Sequence, residues 1–301
     1  MDVVRVGTRG SLLSLKQTSI VTKKLEATNS GLKCELVRIK TLNEKIDRFA
    51  VKTTEKDIYT KEIDEALMNG DIDIAVHSLK DLKNELPNGI VIAAVPERAS
   101  PFDVLVKGKG YAGKTHKVIG TSSMRRKVQI ANMIKDVEVK ELHGNVDSRL
   151  KALDDGSVDA IVLAAAGLER MGYSRDVEVL RPDVIVPAIG QGALAVTSRL
   201  NDSEMRNVLS GINDNEAELE VTAERAFGRV FGIGCDVPIG ALAEIKDGTM
   251  NVIGFLSDIN GKKQLKAEIK GDKDKASDLG RDLAAKIISI GGDDIVAKGG
   301  Q

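Results

Sequence analysis

Residues 117–126 read Lys117-Val118-Ile119-Gly120-Thr121-Ser122-Ser123-Met124-Arg125-Arg126. The opening run is strand-like, Gly120 ends it, and the apolar spacing over residues 125–134 is helical. A strand that turns through hydroxyl residues into a helix carrying two arginines is a β/α junction. Free amides and the positive end of the helix dipole make such a junction an anion site. A serine cap with solvated arginines accounts for the same letters, so one junction leaves both readings open. The arrangement recurs, however. Thr8-Arg9-Gly10-Ser11 follows the strand-like residues 3–6. Ser11 there is the N-cap of a helix whose apolar positions are Leu12, Leu13, Leu15, Ile20, Val21 and Leu25. His143-Gly144-Asn145-Val146-Asp147-Ser148-Arg149 follows a third strand at residues 137–142. In open α/β sheets such junctions line the ligand crevice at the carboxyl ends of the strands. Three of them together point to a cleft for a polycarboxylate or polyphosphate.

Working outward, strand-like runs alternate with helical ones over the first 95 or so residues, as in β/α units on a largely parallel sheet. Strands fall at residues 34–40, 72–76 and 90–95, with a helix at 61–69 stopped by Gly70. Pro96 and Pro101 bracket a linker, and Pro182 and Pro187 mark a second boundary. Between them lie strands at 103–106 and 160–164 and a helix at 146–153. The end of the chain differs: a long helix at 216–231, three strands at 241–245, 250–256 and 264–269 turning at Asp247-Gly248 and Asn260-Gly261, and a helix at 276–290. That pattern predicts a small α+β domain with an antiparallel meander.

Composition narrows the class. The 301 residues suggest two or three domains. The net charge is -1, so no whole-protein basic field exists to hold nucleic acid or an anionic membrane. Trp is absent and aromatics are 3%, which removes stacking platforms for single strands. Apolar runs are too short to span a bilayer, and the first residues do not read as a secretory signal. Two cysteines form no disulfide framework and no thiolate zinc site, so the expected compartment is the cytoplasm and no metal is expected.

Three further stretches bear on chemistry. Gly108-Lys109-Gly110-Tyr111-Ala112-Gly113-Lys114-Thr115 matches the phosphate-binding loop pattern, but a strand-like run follows where that mechanism needs a helix. It reads as a surface loop. Val76-His77-Ser78-Leu79-Lys80-Asp81 sets a carboxylate just past a strand. Asp81 either neutralises Lys80 or stabilises a developing cation and moves a proton; His77 reads as structural. Gly232-Ile233-Gly234-Cys235-Asp236-Val237-Pro238-Ile239-Gly240 flanks one cysteine with glycines and leaves its sulfur accessible, as a nucleophile or attachment point needs. Cys34, within a strand, reads as a buried apolar residue.

Taken in order, these segments resemble the porphobilinogen deaminase (hydroxymethylbilane synthase) family. Ala166-Gly167-Leu168-Glu169-Arg170 and Pro187-Ala188-Ile189-Gly190-Gln191-Gly192-Ala193 extend the match, which spans nearly the whole chain. The resemblance implies an α/β fold: two type II periplasmic-binding-protein-like domains with the cleft between them, plus a small C-terminal α+β domain whose three-stranded antiparallel sheet carries helices. Domain 1 would hold residues 1–98 and 190–211, domain 2 residues 99–189, and domain 3 residues 215–301. The implied reaction joins four porphobilinogens head to tail, releasing ammonia. The chain grows on a dipyrromethane cofactor attached by a thioether, for which Cys235 is the matching position. Asp81 matches the catalytic carboxylate. The cofactor- and substrate-binding positions are Arg9, Ser11, Ser78, Lys80, Thr121, Ser122, Ser123, Arg125, Arg126, Gly144, Asn145, Arg149, Arg170 and Gln191. His143 stands where the family usually has another cleft arginine, and Lys16 where Trp is common. The family's mobile segment corresponds to residues 55–59, with Lys56 and Tyr59 as lid residues. A monomer with no nucleic-acid or membrane partner is implied. The rival from another class is a polyanion-binding protein of the same two-lobed fold; Asp81 and Cys235 weigh against it.

Overall fold

The computed structural model describes residues 2–40, 57–232 and 237–299, with side chains except at 57–59 and 297–299. Lys56, Cys235 and the side chain of Tyr59 therefore lie outside the described residues. Contacts divide the chain into two units: residues 1–99 with 193–222, and residues 100–192 with 223–301.

The first unit opens with β1 (Val3–Thr8), α1 (Leu12–Thr28) and β2 (Lys33–Arg38). α2 (Asp57–Asn69), β3 (Ile74–Ser78) and β4 (Ile90–Ala94) follow. Helix α2 stops at Gly70, whose φ of 78° is the left-handed conformation a helix C-terminus uses. After the long excursion through the second unit the chain supplies β10 (Leu194–Arg199) and α6 (Ser203–Ser210). The sheet order is β2-β1-β3-β10-β4, with β1, β2 and β3 mutually parallel and β10 antiparallel to both of its neighbours. All five residues of β3 are buried, as expected for a central strand covered on both faces. Val4, Val6, Ile74, Val76 and Val196 pack with Val21 and Leu25 of α1 on one face. Ala75, Ile63, Leu67 and Ile72 form the core on the other.

The second unit repeats that order. Its strands are β5 (Asp103–Lys107), β6 (Lys117–Gly120), β7 (Val137–Lys140), β8 (Ala160–Ala164) and β9 (Val177–Leu180), arranged β7-β6-β8-β5-β9. Strands β6, β7 and β8 are parallel, and β5 is antiparallel to β8 and β9. Helices α3 (Met124–Met133), α4 (Val146–Asp154) and α5 (Ala165–Met171) connect them. In β8, Ile161 and Leu163 face one core while Ala160 and Val162 face the other, the two-residue period of a doubly covered strand. Both five-stranded sheets thus have the type II periplasmic-binding-protein order, each with a single antiparallel strand.

Helix α7 (Asn215–Val230) leads into β11 (Ile239–Lys246), β12 (Thr249–Ser257) and β13 (Gln264–Asp272), an antiparallel three-stranded sheet. The β11–β12 turn is made by Asp247 and Gly248 at φ 51° and 76°, the two left-handed residues of a tight hairpin. Helix α8 (Ala276–Ile287) covers the sheet, and α9 (Asp293–Gly299) ends the described chain.

Candidate active site

In the first unit, β1 and β3 are parallel neighbours, so the loops leaving their carboxyl ends meet at one sheet edge. Arg9, one residue past β1, donates from Nη2 to Oδ2 of Asp81 at 3.3 Å. Asp81 sits in the single 3₁₀ turn of residues 79–81 that follows β3. The Leu79 amide donates to the Ala193 carbonyl at 3.0 Å and fixes the start of that turn, which also carries Lys80. Ser11 caps α1, accepting from the Ser14 amide at 3.2 Å. Ser78 accepts from Gln17 Nε2 at 2.8 Å in the buried layer beneath. A small recess here is lined by Arg9, Ser14, Gln17, Ser78 and Asp81, together with His77 and Thr60. His77 lies within 3.3 Å of Thr197 Oγ1. Burial, helped by the nearby Arg9 charge and opposed by Asp81, pulls its pKa down to about 4. The ring is neutral near pH 7 and serves structure.

In the second unit, the carboxyl ends of β7, β6 and β8 present three adjacent junctions. Thr121 accepts from the Ser123 amide at 3.2 Å, and Ser123 caps α3 by accepting from the Arg126 amide at 3.5 Å. Asn145 caps α4 through the Ser148 amide at 2.9 Å. Gly144 adopts φ 110°, and a side chain there would run into Ser148 Oγ. Arg149 bridges two junctions, donating from Nε to the Gly144 carbonyl at 2.9 Å and from Nη2 to Ser122 Oγ at 3.1 Å. Arg170, at the end of α5, donates to the Gly192 carbonyl at 2.6 Å. His143 is exposed and 2.8 Å from Glu141. This places its ring beside a carboxylate.

Arg125 and Arg126 are neither solvated nor splayed outward. Both are buried, and both bind Asp103, which has no exposed surface. Arg125 Nη1 donates to Asp103 Oδ2 at 2.7 Å and to the Val186 carbonyl at 2.6 Å. Arg126 donates from Nε to Asp103 Oδ1 at 2.9 Å, from Nη1 to the Val162 carbonyl at 3.0 Å and from Nη2 to Gln191 Oε1 at 3.4 Å. Gln191 Nε2 returns to Asp103 Oδ1 at 3.1 Å. Burial alone would raise the Asp103 pKa, but the two guanidiniums outweigh it and hold the carboxyl well below the usual range.

A family model for the "porphobilinogen deaminase, dipyromethane cofactor binding domain" matches residues 4–207, and one for the "porphobilinogen deaminase, C-terminal domain" matches residues 218–289. The porphobilinogen deaminase of Syntrophobacter fumaroxidans is 41% identical over 96% of this chain and 95% of its own. That of Thermus thermophilus is 44% identical over 99% of each. Among solved structures, the periplasmic aliphatic sulphonate binding protein SsuA from Escherichia coli is 15% identical, covering 76% of this chain and 70% of its own at a TM-score of 0.38. The chain belongs to the porphobilinogen deaminase family. Its activity is that of a hydroxymethylbilane synthase, a transferase of tetrapyrrole biosynthesis, and its cofactor is dipyrromethane.

The residues present suit that cofactor, whose pyrroles carry acetate and propionate side chains. Arginine forks match carboxylates in geometry and charge. On Arg125, Nε and Nη2 have no acceptor among the described residues. The first strand after residues 233–236, which lie outside the described residues, packs against this network. Five residues after Cys235, Gly240 of β11 abuts Arg125: a side-chain carbon at Gly240 would lie 3.1 Å from Arg125 Cδ. Five residues span at most about 18 Å of extended chain. Sequence reasoning missed Asp103 and Gln17. A lone Asp opening an apolar strand, and a helical Gln eight residues from the nearest motif arginine, carry no local signal; each acquires a role only through a partner 22 and 61 positions away.

Proposed function

We propose that this chain binds the pyrrole carboxylates of dipyrromethane and porphobilinogen through Arg9, Arg125, Arg149 and Arg170. Arg126 adds charge, and Ser11, Ser78, Lys80, Thr121, Ser122, Ser123, Gly144, Asn145, Gln191 and the exposed His143 add polar groups. The cofactor is carried by a thioether on Cys235, and Lys56 and Tyr59 belong to the lid. Domain 1 comprises residues 1–98 and 190–211, domain 2 residues 99–189, and domain 3 residues 215–301. The enzyme works as a cytoplasmic monomer without nucleic-acid partners; no helix among the described residues is long and apolar enough to cross a membrane.

The observation that carries the chemistry is the Arg9–Asp81 contact at the edge shared by β1 and β3. Loss of ammonia from porphobilinogen leaves a cationic methylene-pyrrole. The free α-carbon of the preceding pyrrole attacks it, and that ring then loses a proton. A carboxylate held in place by Arg9 stabilises positive charge in both steps and accepts or relays the proton. The cofactor supplies the anchored pyrrole from which the chain grows; the residues of this chain bind, orient and neutralise.

Intact mass tests the reading. Native protein, or apo-protein given porphobilinogen, is expected to gain two linked pyrrole units, and Cys235→Ser is expected to gain none. Apo-protein that stays bare with porphobilinogen would refute the assignment and leave a polyanion-binding protein as the better description.

A further inference from the structure

Asp103 is the first residue of β5, the one strand of its sheet that runs antiparallel to β8 and β9. That direction matters. The parallel strands β6, β7 and β8 end at the edge carrying the anion-binding junctions, and an antiparallel strand begins there. Asp103 accordingly pairs with Ala164, the last residue of β8. A carboxylate is thereby set beneath the hydroxyl and arginine loops.

Its two oxygens are divided between two guanidiniums, Oδ2 to Arg125 and Oδ1 to Arg126, each at 2.7 Å. One arginine would neutralise one buried aspartate. Two leave the cluster at a net charge of +1, and burying surplus charge is costly unless something answers it. The nitrogens show where an answer would fit. Arg126 has all three engaged, with Asp103, the Val162 carbonyl and Gln191. Arg125 makes both of its bonds from Nη1, so its Nε–Nη2 edge, the fork that takes a carboxylate in two parallel bonds, remains unused among the described residues.

We propose that Asp103 is the positioning residue of the cofactor site: by clamping Arg126 and one nitrogen of Arg125 it aims the open edge of Arg125 at a pyrrole carboxylate and keeps the pair one charge positive. This rests on the reading of Arg125 as a cofactor ligand.

Apo-protein, produced in cells unable to make porphobilinogen, is titrated with porphobilinogen, and dipyrromethane uptake is followed by intact mass. Wild-type, Asp103→Asn and Asp103→Glu are compared. For Asp103→Asn, the half-saturating concentration for uptake is expected to rise at least about tenfold, as for truncation of one partner of a buried charge pair. Asp103→Glu, which keeps the charge but displaces it, is expected to recover part of that loss. Damage to the fold alone would lower the amount of loadable protein without moving the half-saturating concentration. If Asp103→Asn does not fold, Asp103→Glu decides by the same readout. Uptake at wild-type concentrations by the folded variant overturns the proposal, and so does failure of both variants to fold, which would assign Asp103 to stability alone. Failure of wild-type apo-protein to take up the cofactor would instead sink the reading of function on which the proposal stands.

Discussion

Replacing Asp81 by Asn separates what the carboxylate does for the fold from what it does for the reaction. The side chains of Arg9 and Asp81 are 22% and 35% exposed and 3.3 Å apart. An ion pair that wet contributes about 1 kcal/mol or less. An amide of the same shape still accepts one bond from Arg9, so Tm is expected to fall by no more than about 3 °C. The reaction loses more. A unit positive charge developing about 4 Å from the carboxylate gains about 4 kcal/mol at an effective dielectric constant of about 20. Partial exposure cuts this to about 3 kcal/mol, or about a hundredfold in kcat. Ground-state binding of porphobilinogen rests on the arginines, so KM is expected to move little. The assay is single-turnover release of ammonia by the cofactor-loaded enzyme, with a thermal melt of the same sample. Turnover within about threefold of wild type would refute the electrostatic role. So would a loss of rate explained by a melt lowered by more than about 5 °C.

The β/α junctions were legible because each is written in consecutive residues. Ser11 caps the helix its position announced, and Ser123 is the serine cap that the second junction admitted; Asn145 caps α4 without having been singled out as a cap. The rejected phosphate-loop match was legible for the same reason: Lys117–Gly120 is strand β6, where phosphate binding would need a helix. Long-range pairing was not. Residues 194–199 pass as an unremarkable apolar run after Pro187, yet they insert antiparallel between β3 and β4, whose paired residues lie 102 to 124 positions earlier. The 103–106 run reads as one more member of a β/α series and is in fact the antiparallel strand of its sheet. Strand β9 and helix α5, of four and seven residues, are too short for periodicity to declare them. The largest surprise follows from the same blindness. Arg125 and Arg126 admitted a ligand-binding reading and a solvated one, and both presumed exposed forks. Their burial on Asp103 depends on the direction of β5, which no local pattern encodes.

Two stability predictions follow from the same geometry. Gly240→Ala would place a methyl 2.5 Å from the Pro187 carbonyl oxygen and 2.9 Å from that of Val186. Neither backbone atom can rotate aside, so a loss of about 1–3 kcal/mol is expected by chemical denaturation, and an unchanged midpoint would mean that β11 approaches less closely. His77 makes stability depend on pH. Its folded pKa of about 4 lies below the usual 6.5, so between those values the unfolded chain binds the proton and the native ring does not. The contribution is complete above about pH 6.5 and is lost as the pH falls towards 4, by about 3 kcal/mol in all. Other groups titrate in the same window, so the decisive quantity is the difference between wild type and His77→Gln. Glutamine can also hydrogen-bond Thr197 but has no proton to gain. The wild-type unfolding free energy should therefore fall more steeply below pH 6.5 than that of the variant. Parallel curves would show that His77 is charged in the native state or that the recess admits water to it.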